Sequence, residues 1–257
     1  MILAARSCTV LGEGEQLRLD AVSVEVGQGE IHAVVGPNGA GKSTLMGILS
    51  GMQKVDSGSV EFSSRPIRDL NVRELARARS VLGQDLAVSF GFTVAEVVAW
   101  GRAPWRGTDQ MKEDQNAIEW AMQVAHVTSL RERRINQLSG GERKRVHIAR
   151  VIAQDCPLNF FDEPDSDLDL IGTNELGATL RSLNEIGRTL LVSSHNLSWV
   201  SALATHVILM GDHKIVGRGP TKEILTTQLL SQAYGKTINV QWSSDASGRE
   251  IAVCTSN

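Results

Sequence analysis

The stretch Ile31-His32-Ala33-Val34-Val35-Gly36-Pro37-Asn38-Gly39-Ala40-Gly41-Lys42-Ser43-Thr44-Leu45 decides the fold. Ile31 to Val35 reads as a buried strand. A glycine-rich turn follows without a gap, and then Leu45, Ile48, Leu49 and Met52 recur at the i, i+3, i+4, i+7 spacing of a helix. Between strand and helix, Gly36-Pro37-Asn38-Gly39-Ala40-Gly41-Lys42-Ser43 matches G-x-x-x-x-G-K-[ST] in the context that gives the match meaning. Glycines let successive backbone N–H groups point into one concavity, where phosphate oxygens replace water as acceptors. Lys42 supplies a cation for the outer phosphates, the Ser43 hydroxyl is a hard donor suited to Mg2+, and Thr44 is a further phosphate donor. The expectation is a site for ATP or GTP.

The rest of the chain is read outward from this loop. The sequence has 257 residues, 26 Lys and Arg against 29 Asp and Glu for a net charge of −3, and 42% hydrophobic residues. Such a chain buries a substantial core, and disorder, collagen and coiled coil are excluded. Near-neutral charge argues against wholesale nucleic-acid binding. No apolar run approaches the roughly 18 residues that cross a bilayer, and no secretory pattern opens the chain, so a cytoplasmic location is expected. Cys8, Cys156 and Cys254 are too widely spaced for a zinc cluster or disulfide framework.

From Ile2 to Val26 the residues alternate around Gly12-Glu13-Gly14-Glu15, as in an antiparallel hairpin. Between Asp85 and Ala153 the pattern is mainly helical, with Ile118, Ala121, Met122 and Ala125 on one face and Val146, Ala149, Ile152 and Ala153 on another. After Pro157 strands and helices alternate again. Leu158 to Phe161, Thr189 to Ser193, Val207 to Met210 and Lys214 to Val216 read as strands, Leu176 to Leu183 and Thr221 to Tyr234 as helix. The predicted class is α/β, a parallel sheet with an N-terminal antiparallel β subdomain and a helical insertion. One domain is expected over 1–235, with its helical subdomain inserted at about 86–155 and a weakly patterned tail over 236–257.

Two further stretches bear on the chemistry. Leu138-Ser139-Gly140-Gly141-Glu142 opens a helix with backbone N–H groups and a hydroxyl; alone it reads as a capping box. Leu158-Asn159-Phe160-Phe161-Asp162-Glu163-Pro164 is a mostly apolar strand ending in two acids. Asp162 suits Mg2+ and Glu163 the polarising of a water, which is most of what phosphoryl transfer asks of a protein. Ser193-Ser194-His195 ends the next strand with an imidazole. Asp165, Asp167 and Asp169 alternate like calcium ligands, but Leu170 and Leu176 stand where a calcium loop needs Gly and Glu.

From Leu3 to Gly235 the chain resembles the ATP-binding subunits of ABC transporters, with phosphate loop, Gln84, Leu-Ser-Gly-Gly-Glu signature, acid pair, Ser166-Asp167-Leu168-Asp169 and His195 in family order. The resemblance implies an ABC-type phosphate-loop NTPase fold and a head-to-tail homodimer. ATP on the loop of one copy is closed over by Ser139, Gly140 and Gly141 of the other. It implies that Glu163 is the general base, that His195 grips the γ-phosphate, and that Gln84 joins Mg2+ and the attacking water to the transporter contact. Asp169 couples the two sites. With ATP and Mg2+ as cofactors, the implied partners are two transmembrane permease subunits and a substrate-binding protein, with no direct nucleic-acid contact. The chain is then peripheral, on the cytoplasmic face of the membrane.

Two features depart from the pattern. No aromatic precedes the first turn to stack on adenine, leaving Val10 or Leu11 to substitute, and Asp165 and Asp167 add acids beside the interface. The segment from Thr93 to Gly107 looks like that of importers for iron-siderophore, heme and vitamin B12, and Gly-Arg-Ala-Pro-Trp-Arg-Gly at 101–107 is most like hemin importers. Alternatives are a ferric-siderophore or cobalamin importer and, further off, a soluble ABC-type protein on ribosome or nucleic acid. That last class usually carries tandem sites or a long coiled coil, and the sequence has neither a second phosphate loop nor heptads. Trp100, Pro104 and Trp105 read either as a covered helix end or as a docking surface for a permease.

Overall fold

The computed structural model describes residues 1–83, 91–245 and 248–256. Its strands and α-helices begin with β1 (Leu3–Leu11), β2 (Leu17–Val26), β3 (Ile31–Val35), α1 (Lys42–Ser50), β4 (Ser57–Phe62), β5 (Arg65–Pro66), α2 (Val72–Ala78), β6 (Arg79–Leu82), α3 (Val94–Ala99) and α4 (Asp114–Val124). They continue with α5 (Gly140–Ala153), β7 (Leu158–Asp162), α6 (Leu170–Glu185), β8 (Thr189–Ser193), α7 (Leu197–Leu203), β9 (His206–Gly211), β10 (Lys214–Pro220), α8 (Thr221–Ile224), α9 (Thr227–Tyr234), β11 (Ile238–Ser244) and β12 (Glu250–Ser256). Contacts divide the chain into two compact units, Met1–Leu70 with Thr189–Asn257, and Asn71–Arg188.

In the first unit β2, β1, β4 and β5 form an antiparallel sheet. Alternation sets its face: Leu19, Val22, Val24 and Val26 of β2 are buried with exposed residues between them. β3 lies between β8 and β9, parallel to both, and every residue of β3 is buried. A strand covered on both faces reads as a continuous apolar run, and Ile31 to Val35 does so except at His32. α1 follows from the loop and lies against β1 and β8 through Leu45, Met46, Ile48 and Leu49. Burying each of these side chains contributes about 1.5–3 kcal/mol.

The tail adds something its sequence does not announce. β11 and β12 form an antiparallel hairpin over the last residues, fastened to α7 by Ser198 Oγ donating to Ala252 O (2.7 Å) and Ala252 N–H donating to Ser201 Oγ (2.8 Å). Thr221 to Tyr234, expected as one helix, is two short ones broken at Leu225 and Thr226.

In the second unit β6 and β7 pair in parallel, and α5 packs with α3, α4 and β6. Of the first predicted helix face Ala121, Met122 and Ala125 are buried while Ile118 is only half-buried, and all of the second, Val146, Ala149, Ile152 and Ala153, is buried. Asn159, the polar interruption of β7, is buried yet paired, accepting from Ser80 Oγ at 2.8 Å and donating to Cys156 O at 3.1 Å. Burial pushes the thiol of Cys156 up to about 12. Trp105 is a structural residue: its indole N–H donates to Gln154 O at 2.7 Å, and the guanidinium carbons of Arg77 and Arg102 lie 5.6 Å from its ring. Trp100 is 37% exposed, with its ring edge-on to Phe92.

Leu49 is fully buried near the C-terminal end of α1, the helix that follows the phosphate loop. Leu49→Ala is expected to lower unfolding free energy by about 2–5 kcal/mol, read as a lower urea midpoint at unchanged slope.

Candidate functional site

The phosphate loop closes the gap between β3 and α1 with a backbone only glycine tolerates at two points. Gly36 has φ 148°, and a Cβ there would stand 2.3 Å from Met210 O. Gly41 has φ 97°, and a Cβ there would meet Arg18 O at 2.7 Å. Asn38, Gly39 and Ser43 are exposed, while Pro37 and Thr44 are partly covered and Ala40 is buried. The ammonium of Lys42 is folded back over the loop, donating to the carbonyls of Gly36 and Pro37 at 3.0 Å each. No side chain caps the N-terminus of α1, unlike α2, α3 and α5, each of which has a capping box. With glycine at the cap, that helix start carries no side-chain cap of its own, a setting that suits an anion.

His195, exposed just after β8, belongs to the same unit as the loop. Of the two residues expected to take the place of an adenine-stacking aromatic, Val10 is buried and only Leu11, at 41% exposure, reaches the surface. Alternation along β1 puts one in the core when the other is out. Gln84 falls outside the described residues.

The second unit carries the remaining candidates. Ser139 caps α5: its hydroxyl accepts from Glu142 N–H at 3.2 Å and its own N–H donates to Glu142 Oε2 at 2.8 Å. That bond from the Ser139 backbone, with the Ser139 hydroxyl and the nearby Arg133 and Arg145, outweighs burial and holds the Glu142 carboxyl below its usual range. The capping box is thus real, and the Ser139 hydroxyl is engaged with both the backbone N–H and the carboxyl of Glu142. Ser139 and Gly140 are exposed and Gly141 is partly so. Asp162 ends β7; Glu163, next to it, sits at φ 48°, a conformation uncommon for a non-glycine residue. Asp169 caps α6, accepting from Gly172 N–H at 2.7 Å.

Sequence reasoning missed Lys144. Only 8% exposed, its ammonium donates to the carbonyls of Glu163 (2.8 Å) and Ser166 (2.9 Å) and to the Ser166 hydroxyl. The Ser166 hydroxyl in turn donates to Glu163 O at 2.9 Å. One buried cation therefore clamps the turn that carries the acid pair to the helix that begins at Ser139. Burial pulls the Lys144 pKa down, while Asp167, Asp165, Glu163 and Asp162 push it back up. The acids at 165 and 167 thus accompany a buried positive charge. A signal was present: Lys144 shares a helix face with buried Ile148 and Val151, where a solvated lysine has no place.

A family profile described as ABC transporter matches residues 19–166, a span that includes the phosphate loop, Ser139 to Gly141 and the acid pair. The chain belongs to the ABC transporter family. It is 41% identical over 239 residues to the hemin import ATP-binding protein HmuV of Streptomyces coelicolor, covering 93% of this chain and 85% of that one. The ferric enterobactin transport ATP-binding protein FepC of Escherichia coli is 37% identical, with 88% and 84% covered. Among solved structures, a metal-chelate type ABC transporter in an inward-facing conformation superposes with TM-score 0.84 at 25% identity, over 100% of this chain and 97% of that one. A dimeric bacterial ABC transporter cassette does so at 0.77 and 25%, over 86% and 99%. The chain is an ABC-type ATPase, with the fold of the family's ATPase cassettes.

Lys144→Met removes the shared donor of two buried-side carbonyls. It is expected to cost about 1–3 kcal/mol of stability and to lower ATP turnover more than ATP affinity. Denaturation together with steady-state and equilibrium nucleotide measurements checks this. Turnover equal to wild type would show that the clamp does not hold the acid pair in place.

Proposed function

We propose that this chain is the energy-coupling ATPase of a hemin importer, working as a homodimer beneath two transmembrane permease subunits that receive cargo from a substrate-binding protein. The observation that carries the cargo is the agreement among relatives: four proteins named hemin import ATP-binding protein HmuV match at 39–41% identity over 86–93% of the chain. The sequence at 101–107 supports the same reading. A ferric-siderophore importer is the second reading, favoured by FepC of Escherichia coli at 37% identity and by the petrobactin import ATP-binding protein YclP of Bacillus subtilis at 33%. No described helix is long and apolar enough to cross a membrane, which agrees with a peripheral subunit whose pathway lies on other chains, at the cytoplasmic face.

The chemistry assigned to the site follows from donor types. Gly36, Pro37, Asn38, Gly39, Ala40 and Gly41 form the backbone cradle, and Lys42 swings from its own carbonyls to the β- and γ-phosphates. Ser43 and Asp162 are hard oxygen donors fitted to Mg2+, with Gln84 as a third, and Thr44 adds a phosphate contact. When bound, Mg2+ neutralises phosphate charge. Glu163 takes the proton of the attacking water, and His195 holds the γ-phosphate. Ser139, Gly140 and Gly141 serve the nucleotide of the partner copy, and Asp169 couples the two sites. Hydrolysis therefore waits on closure. Trp100 is the exposed aromatic offered to a permease; Trp105 is already committed within its unit.

Glu163→Gln is expected to keep ATP affinity and accumulate closed dimers while turnover falls about 10²–10⁴-fold. Turnover at the wild-type rate rejects Glu163 as base. Lys42→Ala should weaken ATP binding itself, and Ser139→Arg should block dimer closure while the single chain still binds nucleotide. For the cargo, the complex reconstituted with its permease and binding protein is expected to take up radiolabelled hemin on ATP addition. Uptake of a ferric siderophore without hemin overturns the assignment in favour of the second reading.

A further inference from the structure

A second cluster of chemically capable side chains lies in the first unit, at the opposite end of β3 from the phosphate loop. His32 on β3 and His206 on β9 are register partners across the parallel ladder. Glu30 precedes His32 by two residues, so the pleat turns its side chain to the same face. The imidazoles stack with centroids 4.9 Å apart and planes at 13°. Both rings turn a nitrogen toward one carboxylate oxygen: Glu30 Oε2 is 2.6 Å from His32 Nε2 and 3.7 Å from His206 Nδ1. The same oxygen accepts from Gly27 N–H at 3.0 Å. His206 Nδ1 is also 3.1 Å from Thr205 Oγ1. One ligand atom from each of Glu30, His32 and His206 lies within 4.8 Å of the others, and no other group of three such side chains converges this way among the described residues.

His32 is 5% exposed, and its Nδ1 has no hydrogen-bond partner among the described residues. The nitrogen it turns to the cluster is Nε2, the one that faces Glu30.

We infer that Glu30, His32 and His206 form a binding site for a divalent transition-metal ion of the zinc class, distinct from the cation that accompanies a nucleotide. Two imidazoles and a carboxylate make a three-ligand set that leaves a fourth position for water. Metal–ligand bonds of about 2.0–2.2 Å put tetrahedral ligands roughly 3.2–3.6 Å apart, between the shortest and longest separations found here, and the stacked imidazoles must turn relative to one another, out of their parallel planes, to aim both lone pairs at one ion. Glu30 and His206 are half-buried and supply the small opening required, while His32 is fixed by burial. Nitrogen donors disfavour Mg2+, which keeps oxygen ligands and octahedral geometry. An ion here would tie β3, the strand that feeds the phosphate loop, to β9, whose Met210 carbonyl faces Gly36.

The test is calorimetric titration of Zn2+ into the untagged full chain in millimolar Mg2+, with Co2+ absorption reporting coordination geometry and thermal unfolding reporting linkage. Saturable binding at one ion per chain is expected, with tetrahedral Co2+ bands and a raised Tm. His206→Ala and Glu30→Gln should each weaken binding by about tenfold or more and leave ATP turnover without zinc unchanged. Cys254→Ser, which removes the least buried thiol, should leave Zn2+ affinity at its wild-type value. No saturable binding by the wild type, affinity unaffected in both ligand variants, or affinity lost in Cys254→Ser overturns the site.

Discussion

The confinement of β3 is the constraint on which the first unit depends. The strand is buried between two parallel neighbours, and the helix after the loop is held by its own apolar face. With both ends fixed, the loop between them cannot relax, and glycines at 36 and 41 let the backbone take a shape that any side chain would obstruct. Holding donors in a fixed array before an anion arrives removes the reorganisation that a flexible loop would undergo on binding. The apolar packing of Leu45, Ile48 and Leu49 is in this sense the origin of the site's electrostatics.

The second unit meets a different difficulty. Four carboxylates at 162, 163, 165 and 167 crowd a turn of six residues, and like charges at such spacing oppose one another. A buried ammonium inside the turn offsets that repulsion and adds a charged donor to the carbonyls of Glu163 and Ser166. Removing one partner of such an arrangement leaves an uncompensated buried charge, which is why neither the acids nor the lysine is a free choice.

What could be read from the sequence was local. β3, its loop and α1 are contiguous, so periodicity and glycine spacing exposed them, and the acid pair at the end of β7 was visible for the same reason. β6 was not: it has four residues, opens on Arg79-Ser80, and is a strand only because β7 pairs with it from 79 residues away. The terminal hairpin has a polar outer face, and its inner face is defined by serines on α7. His32 is the polar member of an apolar run, and only the ladder sets it beside His206. Lys144 was hidden between Arg143 and Arg145, where a basic run suggests a solvated face. For β6, the hairpin and His32 the missing information was a partner distant in sequence, which no pattern of neighbours encodes; for Lys144 the trace lay in the buried helix face it shares with Ile148 and Val151.

The position of Lys144 has a mechanical consequence. It sits about one turn along α5 from Ser139, and an α-helix rises only about 5.4 Å per turn. A displacement at the glycine-rich start of that helix is passed to the turn bearing Glu163 through a few short bonds to a single ammonium. Where the two ends of such a lever attend to different nucleotide molecules, the state of one is felt at the other, and the macroscopic signature is a sigmoidal dependence of rate on ATP concentration.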